Sequence, residues 1–255
     1  MSLATLDVRG SIATLSLNRP EQRNALSLDL LAALAACVEE LKTRTTQSGG
    51  PKVVIVRGAG KSFCAGMDLK AVLGASAADN SLAEALLGGL AELTIEIRNL
   101  PAVVIAQAQG AAIGGGCGLT CVCDMSLTHD EAKVGFPEVD LAVCPAVVAP
   151  WVVRKVGAGR ARQILLRGGL LSGAEGAAMG LFDRSLPTAE ALEEEVTRLA
   201  ERISGGGQLA LRETKRLLND LDGSTDAQIV RRGAETSAYV VASDEAQAAL
   251  RARFG

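Results

Sequence analysis

Hydrophobic and polar positions alternate over residues 3–9 and again over 12–18, on either side of Arg9-Gly10-Ser11. Period-two alternation broken by a tight Gly-Ser step predicts an antiparallel hairpin. Pro20 bars a helix at that point, and Ser27 is placed to cap one running to about residue 47. Its apolar positions (Leu28, Leu31, Leu34, Ala35, Val38, Leu41) share one face. Two unbroken apolar runs follow, Val53-Val54-Ile55-Val56 and Val103-Val104-Ile105-Ala106. Runs without alternation suit strands buried on both faces. Each run passes through a small-residue turn (57–60 in the first case) into a glycine-centred loop and a helical pattern, around Gly66 and Gly115. The pair reads as an internal strand–turn–helix repeat, stacked side by side. Stacking would let the Met67 and Gly115 N–H groups converge. A helix is expected over 82–98, while the Ala/Ser/Gly-rich segment 71–81 reads as a mobile loop or frayed helix.

Further along, helices are expected at 145–156, stopped by Gly157, and at 159–167. Ser172 precedes Glu175 by three, the pattern of a capping box. Residues 180–183 form a turn into a short strand. Helices are then expected at about 188–203, 206–219 and 223–243, followed by a short tail, with Gly205-Gly206-Gly207 as a linker. The class is α/β. The expected division is a core over 1–187 and a helical region over 188–255 that packs on neighbouring subunits. Trp151 is placed in the core or at an interface.

At 255 residues and 48 % hydrophobic, the chain can fill a sizeable core. With only 2 % aromatics, that core must be aliphatic. A net charge of −3 without a basic run argues against nucleic acid as the main partner. No apolar stretch reaches membrane-span length and the N-terminal residues lack targeting character, so a cytoplasmic protein with no membrane partner is expected. The six cysteines lie in apolar contexts without a CxxC pair, which predicts buried thiols in a reducing compartment. His129 is the single histidine, in the polar run Thr128-His129-Asp130, and is expected at the surface. A Ser-His-Asp triad or a zinc site would be hard to build around it, and no metal is expected.

The chemistry concentrates in residues 107–138. Gly114-Gly115-Gly116 sits where a strand gives way to a helical pattern starting near Cys117. Glycines there let a ligand approach the backbone, and the first helical turn leaves N–H groups free where the helix dipole favours negative charge. The run matches neither a P-loop nor a dinucleotide fingerprint. Glu138 follows in Gly135-Phe136-Pro137-Glu138. Backbone donors beside one carboxylate suit reactions that build charge on a carbonyl oxygen and move a proton nearby.

These residues in this order resemble the crotonase, or enoyl-CoA hydratase/isomerase, superfamily. The resemblance rests on Leu17-Asn18-Arg19-Pro20 with Asn24-Ala25-Leu26, on the run from Phe63 through Cys64-Ala65-Gly66-Met67-Asp68-Leu69-Lys70, on Gly110 with Gly114-Gly115-Gly116-Cys117, on Cys123-Asp124 and on Gly135-Phe136-Pro137-Glu138. It covers nearly the whole chain and implies a spiral of ββα units with a helical C-terminal trimerisation region, assembled as a homotrimer or hexamer. It also implies an oxyanion hole from the Met67 and Gly115 N–H groups, with Glu138 as the catalytic acid/base. Asn24, Ala25, Leu26, Ala65, Gly66, Asp68, Leu69, Lys70 and Gly114 would line the acyl-CoA, with Arg23 and Lys70 as candidates for its phosphates. No cofactor is implied beyond the coenzyme A carried by the substrate.

One position departs from the pattern. Many hydratases of this family place a second glutamate where this chain has Gly118. A hydratase- or dehydratase-type lyase is the expectation, with another group replacing the missing carboxylate; Asp68, Asp140 and Glu84 are the candidates. The segment from Val139 to Arg154 resembles the bacterial methylglutaconyl-CoA hydratase-like branch, which would favour a branched or carboxylated acyl group. The alternatives are a single-glutamate Δ3-Δ2 enoyl-CoA isomerase of fatty acid metabolism, or a non-catalytic paralogue that binds acyl-CoA or RNA.

Overall fold

The computed structural model describes residues 2–74, 76 and 78–254. Strands β1 (Ala4–Arg9) and β2 (Ile12–Leu17) form the antiparallel hairpin, and helix α1 (Leu28–Thr46) is capped by the Ser27 hydroxyl, which accepts from the Leu30 N–H. Strand β3 (Val53–Gly58) runs through the first half of the expected turn. It pairs in parallel with β4 (Val103–Ala108), Val53 opposite Val103 and Ile55 opposite Ile105, so the two apolar runs are direct neighbours. Helix α2 (Ser81–Arg98) lies between them in sequence. The main sheet continues through β6 (Met125–His129) to β9 (Arg184–Leu186), in the order β1-β2-β3-β4-β6-β9. A second sheet joins β5 (Ala111–Ile113), β7 (Lys133–Gly135) and β8 (Leu170–Ser172). Its edge is extended by Cys64, whose N–H donates to Ala111 O at 2.9 Å and whose carbonyl accepts from Ile113 N–H at 3.0 Å.

The repeat therefore has three turns. Each takes one strand in the main sheet (β3, β4, β6) and then a step in the second sheet (Cys64, β5, β7). A helix follows in each: α2, α3 (Gly115–Val122) and α4 (Ala149–Arg167). Met67, Gly115 and Glu138 occupy equivalent places, two or three residues beyond the second-sheet step in successive turns. This places them on one side of the molecule.

The unbroken runs are explained by their two faces. Val54, Val56, Val104 and Ala106 point into the main core, whereas Val53, Ile55, Val103 and Ile105 meet helix α6 (Ala189–Ser204) through Leu192, Val196 and Ala200. Helix α5 (Gly173–Ala178) carries the capping box, with Ser172 and Glu175 bonded reciprocally. Helices α7 (Gln208–Leu221), α8 (Ala227–Val241) and α9 (Asp244–Phe254) complete the chain. Of these, α8 and α9 feed Val230, Ala234, Ala238, Ala246 and Leu250 into the chain's own main core. Leu209, Leu217, Leu218 and Leu221 of α7 stay exposed. Trp151 is fully buried and its indole donates to Thr94 Oγ1 at 3.0 Å.

Several boundaries differ from the sequence reading, each for a local reason. Residues 244–254 are a helix rather than a tail, because Ser243 caps them and Asp244 and Glu245 sit in the first turn. Residues 145–148 stay irregular because Ser237 of α8 holds them: its hydroxyl donates to Cys144 O at 2.8 Å and accepts from Val147 N–H at 3.2 Å. At Gly157, by contrast, the expected break is present: its non-helical φ 78°, ψ 159° divides α4 into two helical segments. Helix α3 starts at Gly115, before Cys117. A 3₁₀ turn over Leu69–Val72 runs into the start of the expected loop 71–81, of which residues 75 and 77 lie outside the described set. His129 ends β6, half-buried, with Nε2 accepting from the Gly110 N–H at 2.9 Å, so it braces the entry to β5 rather than facing solvent.

Asp124 ties the turns together. Its Oδ2 accepts from the Val104 N–H at 2.7 Å and from Lys215 Nζ at 2.8 Å, while Arg98 lies 3.5 Å from Oδ1. Lys215 is buried, and desolvation holds its ammonium below the usual lysine range despite Asp124. Asp124→Ala leaves that charge alone in the core and is expected to cost about 3–5 kcal/mol. Thermal and urea unfolding check this; an unchanged midpoint would show that Lys215 does not depend on Asp124.

Candidate active site

The three turns open onto one cleft of about 1360 Å³. Ala25, Ala65, Gly66, Met67, Asp68, Leu69, Lys70, Gly114, Gly115 and Glu138 all line it. Asn24, Leu26 and Gly118 do not. Asn24 is fully buried behind the wall, where its amide donates to Ala59 O at 3.0 Å and Ser62 O at 2.8 Å, and its Oδ1 accepts from Arg19 N–H at 2.8 Å. Those bonds hold Arg23 and Asn24 at left-handed φ of 51° and 55°. Leu26 is also buried; its N–H donates to Gly66 O at 2.8 Å and its carbonyl accepts from Asp68 N–H at 3.0 Å, so its backbone frames Met67.

The Met67 and Gly115 N–H groups donate to no described residue, although the groups around them are paired. Their loops are in close approach: a Cβ on Gly66 would stand 2.7 Å from Ile113 O and 3.8 Å from Gly115 N. Gly66 has φ +92°, where a side chain is also strained. Unpaired donors on a cleft wall are available to an acceptor from outside.

Glu138 begins a 3₁₀ turn over Glu138–Leu141, and its carbonyl accepts from Val143 N–H at 3.0 Å. The carboxyl lies against Gly114: a Cβ there would be 2.7 Å from Oε1. The residue as a whole is half-buried, but Oε2 is shut from solvent and has no hydrogen-bond partner. Desolvation raises its pKa to about 7, with its own backbone N–H pulling downward and Asp140 adding a small upward push. A carboxyl poised there can take and return a proton near neutral pH.

Of the other carboxylates on the wall, Asp68 and Asp140 are engaged, while Glu21 lies in the 3₁₀ turn Pro20–Gln22 beside Arg23. Asp68 pairs with Arg19 at 3.2 Å, and Asp140 Oδ2 accepts from the Gly169 N–H at 2.7 Å. Glu84 does not line the cleft. The space beside Gly118 is filled: a Cβ there would meet Val148 Cγ1 at 2.2 Å and Val148 Cβ at 2.8 Å. Sequence reasoning could not find Val148, or the cleft-lining Ser237, Val241 and Phe254 of the C-terminal helices, because no local motif marks residues that reach a site only through tertiary packing. Cys64, Cys117, Cys121 and Cys123 are buried as expected, whereas Cys37 and Cys144 are half-buried and Cys144 lines the cleft. No cysteine is in a disulfide, and burial pushes Cys64 and Cys123 up to about 12.

A three-turn α/β spiral that delivers one desolvated carboxyl to a large cleft defines an enzyme rather than a scaffold. A family model described as enoyl-CoA hydratase/isomerase matches residues 7–252. The putative enoyl-CoA hydratase of Thermus thermophilus is 32% identical, covering 96% of this chain and 95% of that protein. The crotonyl-CoA hydratase of Syntrophomonas wolfei is 34% identical over 84% of this chain and 80% of its own length. The crystal structure of an enoyl-CoA hydratase from Bacillus halodurans superposes with a TM-score of 0.87 at 22% identity, covering 98% of this chain and 100% of that one, a likeness of fold. The chain belongs to the enoyl-CoA hydratase/isomerase, or crotonase, family.

Proposed function

We propose that the chain is a one-base enoyl-CoA isomerase, shifting a 3-enoyl thioester to the conjugated 2-enoyl form. The Met67 and Gly115 N–H groups hold the thioester oxygen, and Glu138 is the single proton carrier. The carboxylate takes a proton from C2, the negative charge spreads to the thioester oxygen as a dienolate, and the same carboxyl returns a proton to C4. The double bond moves from C3–C4 to C2–C3 and no atom is gained or lost. Two backbone donors suit this because the oxygen gains charge only as the reaction proceeds; loss of one such donor typically costs about 3 kcal/mol of transition-state stabilisation.

The observation that carries this reading is the pairing of an unpartnered Glu138 Oε2 with a closed position 118, where Val148 leaves no room for a second carboxylate. Hydration needs a water activated beside C3, and Asp68 and Asp140, two of the other carboxylates on the cleft wall, are already engaged. A second reading, hydration with Glu138 serving both the water and C2, is favoured by the name of the crotonyl-CoA hydratase relative. The coenzyme A of the substrate is the only cofactor in either scheme. The mouth carries Arg23 and Lys70 toward its phosphates, and the exposed leucines of α7 are a natural seam for a homotrimer or hexamer. No helix of the described residues is long and apolar enough to cross a membrane. A cytoplasmic role in fatty acid metabolism would follow from the substrate class.

Supplying 3-hexenoyl-CoA and following the conjugated-thioester absorbance tests the proposal. A rise with no change of product mass is expected. A hydroxyacyl product from the 2-enoyl thioester, with no rise from the 3-enoyl one, would replace isomerisation by hydration.

A further inference from the structure

Helices α8 and α9 reach the cleft, which Val241, Arg253 and Phe254 line together with Val72 and Leu87. One buried polar side chain lies behind that wall. Gln247 of α9 is 3% exposed and satisfies three partners at once. Its Oε1 accepts from the Gly74 N–H at 2.7 Å, and its Nε2 donates to Val72 O at 3.1 Å and to Val241 O at 2.9 Å. Two of these lie on the segment that leaves Met67. That segment is short and internally bonded: Leu69 N–H donates to Met67 O at 2.8 Å, and Ala71 N–H to Asp68 O at 3.0 Å. Asp68 is itself held by Arg19.

We propose that Gln247 is a positioning residue, fastening the Met67 loop to the C-terminal helices so that the Met67 N–H and the apolar wall of the acyl chamber are set by one latch. The inference rests on the reading of Met67 as an oxyanion donor. Its physical basis is that a buried amide with all its partners filled fixes backbone that would otherwise be held only by a 3₁₀ turn. The wall it fixes is apolar through Val72, Val241 and Phe254, with Arg253 beside them. Because Gln247 touches no reacting atom, its removal should act on turnover more than on capture of the coenzyme A portion.

The test uses Gln247→Met, which keeps the length and removes every bond, and Gln247→Glu, which keeps the acceptor for Gly74 but loses the donors when ionised. Leu34→Ala, in the α1 core away from the cleft, serves as a control for lost stability. With 3-hexenoyl-CoA, kcat of Gln247→Met is expected to fall at least about ten-fold while KM stays within about three-fold, and Gln247→Glu to fall between it and the parent. Leu34→Ala should keep its kcat at a temperature where it is folded. Hydrogen exchange gives an independent readout: amides of 69–74 should exchange at least about ten-fold faster in Gln247→Met, and should slow in the parent when decanoyl-CoA is added. Unchanged exchange in that segment, or a kcat equal to the parent's, overturns the latch. Failure of the parent to turn over any enoyl-CoA would instead overturn the proposed reaction, and the exchange experiment would still decide the latch.

Discussion

Glu138→Gln is expected to lower turnover by about 10²–10⁴-fold and to leave acyl-CoA binding within a few-fold of the parent. The amide has the same shape and makes the same contact with Gly114, but it cannot accept a proton. The pH profile follows from the same burial. The working base is the carboxylate, and its pKa is raised to about 7, so the parent's rate should climb as pH passes through neutrality. Stability should move the other way. The folded protein holds this proton more tightly than the unfolded chain, whose carboxyl titrates at the ordinary 4.5. Protonation therefore stabilises the fold fully below about 4.5, and that contribution is lost as pH rises through about 7. A displacement of this size corresponds to about 3 kcal/mol, so Glu138→Gln should be the more stable protein at pH 8 by an amount of that order. The difference should shrink as pH falls toward 5. Melting curves of both proteins across that range, beside a steady-state assay, make the check. Retained turnover would remove Glu138 from the mechanism. A stability difference that ignores pH would show that the carboxyl is not desolvated.

The trade between rate and stability is what a built site looks like, because a carboxyl oxygen left buried and unpartnered is otherwise a defect. Much of this arrangement was legible in the residues. The Val53 and Val103 runs marked buried strands of a stacked repeat because strands buried on two faces cannot alternate, and the structure pairs them in parallel. The capping signals at Ser27 and Ser172 fixed helix starts because they act through bonds to residues three positions away. The third turn of the repeat was not legible. Its strands β6 and β7 carry Ser, Thr, His and Lys among their apolar residues, and β5 and β7 are three residues each, too short to show a period. The site divided in the same way. Loops tied to a motif could be placed from sequence. Asn24 reads as a lining residue in the motif yet sits behind the wall, and the contributions of α8 and α9 come from a hundred or so residues further on. Contacts between distant segments leave no local pattern, so Val148 and Gln247 emerge only when the chain is folded.

Val148 explains why the missing carboxylate is not one substitution away. Gly118 lies in α3, every residue of which is buried, and its N–H donates to Gly114 O at 2.9 Å, so the helix is anchored at the cleft-lining glycines. A Cβ at 118 would stand 2.2 Å from Val148 Cγ1, a separation that forces either the helix or the 145–148 segment to move. Ser237 holds that segment and resists the shift. Gly118→Glu adds a buried, unpaired charge to the overpacking, and the sum is expected to cost at least about 3 kcal/mol, lowering the melting midpoint by roughly 6–12 °C. Val148→Ala removes the closest methyl and leaves Val148 Cβ at 2.8 Å, so a small shift then suffices. The two substitutions should therefore couple. Each destabilises alone, through overpacking in one case and a cavity in the other, while the double variant should be more stable than Gly118→Glu by about 1–2 kcal/mol. Denaturant unfolding of the four proteins measures that coupling. Additive losses would mean that Val148 does not close the position. A Gly118→Glu protein with the parent's stability would mean that the glycine is free to change, and the single-carboxylate site would then be a matter of selection on the reaction rather than of packing.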